Sequence, residues 1–356
     1  MMGEQDRLHT QLDTLISTQF DNRADIDLSS SMTLSVISDI DFNVSKTEQS
    51  VIDENFNAEK FNGHIEQNWW LSSFSSLTRN LRHGGLSLPD RDQDINVSEK
   101  HGDIYSTDLR FTLIKGASAG NLLHNILEYL DFGSPDWQRA IVRPLSRFSD
   151  TMVVEDDELI SWLLSCLEAP LNNSSRQKLN LAQLKWSDTL REVEFYFPMQ
   201  SLKLHALSRL LSDYRGYTGE TSVLNLPGYQ VLEGMMHGFI DLVFQWQGQF
   251  FIADYKSTWL GNSIDCYGHN ELQTNIRDNF YDLQYLLYSL ALHRYLKNRL
   301  DDYQPEKHFG GVYYLYLRGM NRHSGSGIFY SSIDAVLLDK LDSLFSYHKT
   351  EEKACE

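Results

Sequence analysis

Two carboxylates and an ammonium fall in Gly238-Phe239-Ile240-Asp241-Leu242-Val243-Phe244 and, with Asp254 thirteen positions after Asp241, in Asp254-Tyr255-Lys256. Gln245-Trp246-Gln247-Gly248-Gln249 is a polar break with a glycine between two β-prone runs, the pattern of a hairpin. A turn centred on Gln247-Gly248 sets Asp241 opposite Asp254, and opposed residues carry Cβ atoms about 4.5–5.5 Å apart on one face. Lys256, two residues further on, shares that face. Like charges opposed in a sheet are destabilising, and charges among apolar neighbours are costly unless compensated. A hard divalent cation, Mg²⁺ foremost, supplies the compensation. The chemistry this set suits is metal-assisted cleavage of a phosphodiester. A structural Asp–Lys pair at a strand end is the competing reading. Neither charge is needed for packing on this pattern, so removal of Asp254 or Lys256 is expected to abolish cleavage and spare the fold.

Three further groups have suitable chemistry. His124 lies beside an apolar helical stripe, four residues before Glu128. It can be a metal ligand, an outer donor to one, or a surface histidine paired with Glu128. Glu192 and Glu194 alternate within Glu192-Val193-Glu194-Phe195-Tyr196-Phe197, which places both on one strand face and does not separate a functional acid from a solvated one. Gln284 and Tyr288 stand i, i+4 on a helix, near Tyr281 and Tyr295. They can orient a phosphate or a base, or belong to the core.

The elements that must position these groups are a mixed sheet and its helices. Ile240, Leu242, Phe244, Phe251 and Ala253 are expected on one face of the hairpin, with Val243 and Ile252 on the other, as in a central strand pair covered on both sides. Helical spacing predicts helices over 120–130, 156–168, near 200–213, about 272–299 and 333–348; strands are predicted over 191–197, 231–256 (the hairpin), 311–318 and 327–331. The expected class is α/β (α+β), a mixed central sheet flanked by helices. Residues 1–66 read as an acidic lead-in, 67–110 as a linker, and the globular part begins near Phe111 and runs over 111–350.

The 356 residues can bury a sizeable core. No leader-like or membrane-spanning run is read, so a cytoplasmic protein with no membrane partner is expected. Cys166, Cys266 and Cys355 are widely spaced, which suggests reduced thiols. The net charge of −18 is awkward for gripping DNA. Residues 1–60 hold twelve of the acids against four bases. Another subunit or domain is therefore expected to hold the strand. There is no G-x-x-x-x-G-K-[ST] phosphate loop.

Gly238-Phe239-Ile240-Asp241, Asp254-Tyr255-Lys256-Ser257 and Tyr281-Asp282-Leu283-Gln284-Tyr285-x-x-Tyr288 resemble the nuclease domain of bacterial RecB. So do Gly120-x-x-x-His124, Leu292-His293-Arg294-Tyr295-Leu296 and His308-Phe309-Gly310-Gly311-Val312. The resemblance runs from about Trp70 to the C-terminus and belongs to the RecB-like branch of the PD-(D/E)XK nuclease superfamily, with its restriction-endonuclease-like fold. The proline of the superfamily's name is absent before Asp241. The helicase half of RecB is also missing, so 1–66 reads as the remnant of a preceding helicase domain, in an excised fragment or a natural truncation.

The resemblance implies His124, Asp241, Asp254 and the Tyr255 carbonyl as metal ligands and Lys256 as the catalytic lysine. It implies Gln284 and Tyr288 as an accessory motif contacting DNA, and Glu192 as support for a second metal. The implied cofactor is Mg²⁺, replaceable by Mn²⁺ and inhibited by Ca²⁺. The implied activity is that of an exodeoxyribonuclease V-like enzyme, acting as exonuclease and endonuclease on single-stranded DNA in double-strand-break repair and recombination. The implied partners are RecC- and RecD-like subunits and RecA. A structure-selective endonuclease is the alternative among enzymes; a catalytically silent docking module for RecC- or RecA-like partners is the alternative outside them.

Overall fold

Gln247 and Gly248 both adopt left-handed backbone angles (φ 50° and 82°), the turn geometry that matches the twist of a tight antiparallel hairpin. This hairpin is the centre of the structure, a computed structural model describing residues 69–79, 107–148, 154–171, 179–217 and 231–346. The lead-in expected over 1–66 lies outside the described residues. In chain order the elements are β1 (Trp69–Ser72), α1 (Phe74–Arg79), α2 (Leu109–Thr112), α3 (Ala117–Tyr129), α4 (Trp137–Arg147), α5 (Asp156–Leu167), β2 (Thr189–Lys203), α6 (Leu204–Tyr217), β3 (Val231–Trp246), β4 (Gln249–Lys256), α7 (His269–Asp278), α8 (Tyr281–Arg299), α9 (Pro305–His308), β5 (Phe309–Tyr316), β6 (Ile328–Ser331) and α10 (Ala335–Phe345).

Among the described residues the sheet has six strands and is mixed. β3 pairs antiparallel with β2 along one edge, from Val231 to Phe244. Its other edge is shared: β1 runs parallel to Glu233–Met236, and β4 runs antiparallel to Leu242–Trp246. β5 lies parallel to β4, and β6 antiparallel to β5. The shared edge leaves an interval of β3, from His237 to Asp241, between the last pair with β1 and the first with β4. Asp241 stands at the margin of that interval.

Helices cover both faces. Val243, Ile252, Val312 and Tyr314 pack with α6, α7, α8 and α10, whereas Leu242, Phe244, Phe251 and Ala253 pack with α3, α4 and α5. The expected α/β sheet with flanking helices is therefore present. Ile240 departs from its expected face, joining Val243 and Ile252. The strict two-residue alternation breaks at Asp241, opposite the left-handed Glu192 (φ 47°), a local irregularity of the kind that re-aims side chains.

Several element assignments also differ, including the unexpected α4 and a β2 that runs to Lys203. The helix expected over 272–299 is two helices, because Phe280 takes a left-handed conformation (φ 57°) and the Asn279 side-chain amide donates to the Asn275 carbonyl at 2.8 Å. Within the stretch expected as linker, Trp69–Ser72 adds a strand to the sheet, and Phe74, Leu77 and Leu109 are buried. Four strand residues are too short a run to show a period against the turn-rich sequence after them.

Candidate metal centre and active site

The hairpin register is the one the turn dictates: Leu242 faces Ala253, Val243 faces Ile252 and Trp246 faces Gln249. Pairing stops at Leu242–Ala253, one position short of Asp241 and Asp254. Beyond it β4 stays with β5 through Lys256. The Tyr255 N–H then donates to Asp241 Oδ2 at 2.7 Å, so the carboxylate occupies the place of a ladder acceptor.

α3 brings His124 to the same point. Its Nε2 lies 3.0 Å from the Tyr255 carbonyl oxygen, and its Nδ1 lies 3.5 Å from Asp241 Oδ1. A carbonyl oxygen only accepts, so Nε2 carries the hydrogen and Nδ1 is left toward the carboxylate. A lone pair facing a carboxylate is repulsive unless a proton or a cation stands between them. The Tyr255 ring meets the imidazole edge-on at 5.8 Å and fixes its plane.

Glu192 completes the cluster. Strand β2 pairs Arg191 with Leu242 and Val193 with Ile240, which sets Glu192 against Asp241. One ligand atom each from His124, Glu192 and Asp241 lie within 4.8 Å of one another. An imidazole and two carboxylates suit a divalent ion with hard or borderline preference. The donor set therefore fits a metal centre, and the Tyr255 carbonyl oxygen lies beside it, against His124 Nε2. Burial pushes the Asp241 pKa up, but with the imidazole protonated, its charge and hydrogen bond, the charge of Lys256 and the Tyr255 N–H outweigh burial and hold it below the usual carboxylate range.

Asp254 lies outside that three-residue group. Its Oδ2 is 2.8 Å from Lys256 Nζ, with the two side chains only 4% and 3% exposed. The Lys256 ammonium also sits 4.3 Å from the Tyr281 ring centre and 5.4 Å from that of Tyr314, a cation–π setting. Gln284 and Tyr288 are buried and bonded to each other at 3.0 Å, and Tyr314 donates to Gln284 Oε1 at 2.6 Å. Through Tyr314 this pair connects to the rings beside the Lys256 ammonium. Gly238 supports them: a Cβ there would come within 2.7 Å of the Phe195 ring, which packs edge-on against Tyr288.

Of the two acids, Glu192 takes the left-handed conformation and joins the His124–Asp241 group. Glu194 is exposed and pairs with His237 and Tyr196. The His124 ring points at Asp241 and Tyr255.

Two residues that the sequence reading passed over hold the site in place. Arg191 donates from Nη1 to the carbonyls of Leu127, Glu128 and Leu130 at the end of α3, and its guanidinium lies between the rings of Phe132 (3.9 Å) and Trp186 (4.3 Å). It ties the strand of Glu192 to the helix of His124. Arg318, fully buried, donates to the carbonyls of Ser257, Arg110, Leu113 and Ile114 and anchors the chain just after Lys256. Neither stands in a chemical motif; the one hint is Arg318, set in an apolar run.

A cluster of two acids and an imidazole where the β3–β4 ladder stops, with a lysine two residues after an aspartate on the neighbouring strand, has the chemistry of a metal-assisted phosphodiesterase. The sequence profile of the PD-(D/E)XK nuclease superfamily matches residues 105–343, and the chain belongs to that superfamily. Among curated relatives, it is 35% identical over 294 residues to the RecBCD enzyme subunit RecB of Escherichia coli K12 and 29% identical over 306 residues to that of Haemophilus influenzae. It is 30% identical over 291 residues to the RecB subunit of Mycobacterium tuberculosis. These matches cover 80%, 81% and 73% of this chain but 24%, 24% and 26% of the relatives, so the chain spans about a quarter of their length. The resemblance to RecB nuclease sequences is thus borne out. No helix among the described residues is long and apolar enough to cross a membrane.

Proposed function

We propose that the chain is a Mg²⁺-dependent deoxyribonuclease that cleaves single-stranded DNA, as the nuclease part of a RecBCD-type helicase–nuclease in double-strand-break repair. The observation that carries this reading is the convergence of His124, Glu192 and Asp241 within 4.8 Å of one another, with Asp241 on the strand beside the one that ends at Lys256. These three residues would hold the metal, which when bound neutralises phosphate charge and acidifies a water. His124 keeps its protonated nitrogen on the Tyr255 carbonyl and turns the other toward Asp241. Asp241 is fixed by the Tyr255 N–H and stays ionised at neutral pH.

Lys256 is held by Asp254 and Tyr281 at a point where its charge acts on Asp241. A fixed ammonium there favours negative charge as it builds on the non-bridging oxygens of the scissile phosphate. Asp254 orients that ammonium, and its strand-end position keeps it available as a further ligand. In-line attack leaves a 5′-phosphate and a 3′-hydroxyl. With a net charge of −18, the chain relies on partners, RecC- and RecD-like subunits in this reading, to deliver the strand.

The test is incubation of the chain with end-labelled linear single strands in Mg²⁺ and in EDTA. Metal-dependent products that disappear in Asp241→Asn support the reading; equal products from the variant remove the site assignment. Circular single strands separate exonucleolytic from endonucleolytic cutting.

A further inference from the structure

Beyond Glu192 and Asp241, strands β2 and β3 continue as the opposed pairs Glu194–Phe239 and Tyr196–His237. Opposed residues share a face, and neighbours on one face are about 6.6–6.8 Å apart along a strand. Phe239 therefore lies two residues from Asp241 along β3, and His237 and Tyr196 lie four residues from Asp241 and Glu192 along the same two strands. The helices that cover Leu242 and Phe244 do not bury this part: Tyr196 is 52% and Phe239 46% exposed. The rings are ordered nonetheless. Tyr196 and His237 stack with centres 4.4 Å apart at 19°, and Phe239 meets His237 edge-on at 5.1 Å. Glu194 accepts from the Tyr196 hydroxyl at 2.7 Å and lies 3.0 Å from His237 Nε2, which fixes both rings from the side.

We propose that Phe239, Tyr196 and His237 form a base-stacking shelf that takes unpaired nucleobases of the strand whose phosphate lies at the metal centre. This rests on the nuclease reading for its location and deepens it: the shelf selects single-stranded over duplex nucleic acid. Flat π faces bind unstacked bases with little regard to sequence, whereas a duplex keeps its base faces internal. Phosphates are poor occupants, because Glu194 adds a carboxylate to a chain already at −18. The shelf is continuous with the metal centre along the same two strands, which favours substrate over a separate protein partner.

The test measures binding of a fluorescein-labelled oligodeoxythymidylate and of a duplex of equal length to the full chain, by anisotropy in EDTA, where nothing is cut. Tyr196→Ala/Phe239→Ala is expected to weaken single-strand binding by about 5- to 150-fold per base stack lost, the equivalent of ~1–3 kcal/mol. The slope of log affinity against log salt should stay the same, because no phosphate contact is removed. Phe239→Trp should preserve binding, and a melting curve checks that each variant is folded. Unchanged binding in the double variant, equal affinity of wild type for duplex, or no single-strand binding at all overturns the proposal and leaves the patch to a protein partner. Cleavage is scored separately in Mg²⁺. Wild type that uses the shelf but cuts nothing loses the nuclease reading alone; wild type that cuts while the double variant binds normally loses the shelf alone.

Discussion

Lys256→Met keeps the bulk of the side chain and removes its charge, stranding Asp254 in the interior. Lys256 Nζ lies 2.8 Å from Asp254 Oδ2. At an effective dielectric of about 20, opposite charges at that separation attract by about 6 kcal/mol before any desolvation is counted. Burying the two ions costs several kcal/mol each and offsets most of this, so the intact pair adds little net stability. Breaking it from one side is different: the remaining charge stays buried without its counterion, at a cost of about 3–5 kcal/mol. For a domain of this size that corresponds to a melting temperature about 6–20 °C lower. Asp254→Asn should behave alike, and Asp254→Asn/Lys256→Met should recover most of the loss. Urea denaturation of the four proteins forms the double-mutant cycle. Single variants within about 0.5 kcal/mol of wild type, or losses that simply add in the double variant, refute the reasoning. The strand pattern alone predicts that neither charge matters for the fold; the buried pair corrects this, and inactivity of either single variant has to be separated from unfolding.

Glu192 holds a left-handed conformation that costs an ordinary L-residue about 1–2 kcal/mol, so Glu192→Gly should be more stable to urea than Glu192→Ala by about 1 kcal/mol. Arg191→Ala removes a charged cap of α3 and two ring contacts, and should lower urea stability by about 2–4 kcal/mol, with Arg191→Lys recovering less than half because it lacks the planar face. Burial pushes the Asp342 pKa up, but the hydrogen bond and charge of Arg294 and the charge of Lys297 bring it below the usual value. A depressed carboxylate contributes stability above its unfolded pKa of about 3.9 and loses it as pH falls through the lower folded value. Asp342→Asn should therefore flatten the acid limb of the stability–pH curve below about pH 4–5, measured by melting.

The hairpin was readable because its turn residues, Gln247-Gly248, fix the register of everything after them, and Leu242–Ala253 pair as that register requires. The same arithmetic brought Asp241 and Asp254 to one end of the sheet. It could not show that the ladder parts there, since parting is set by β5 holding β4 through Lys256 and by the Tyr255 N–H turning to Asp241. Nor could alternation distinguish Glu192 from Glu194, because it assumes regular strand angles and Glu192 has none. The break at Phe280 is hidden for a related reason: the apolar period of α8 is carried by side chains, and one left-handed residue at its start leaves no trace in them. Tyr281 and Tyr314 line the Lys256 ammonium, a role that depends on which strand and helix face each other and so leaves no trace in their spacing.

The central claim is that His124, Glu192 and Asp241 are brought together to hold a divalent cation. Anomalous diffraction from crystals soaked in Mn²⁺ tests it most directly. The account predicts a manganese peak bonded to the Asp241 carboxylate and His124 Nδ1, with Glu192 bonded directly or through a water and Lys256 remaining paired to Asp254. Saturating manganese with no peak among these three side chains, or a peak elsewhere on the chain alone, contradicts it.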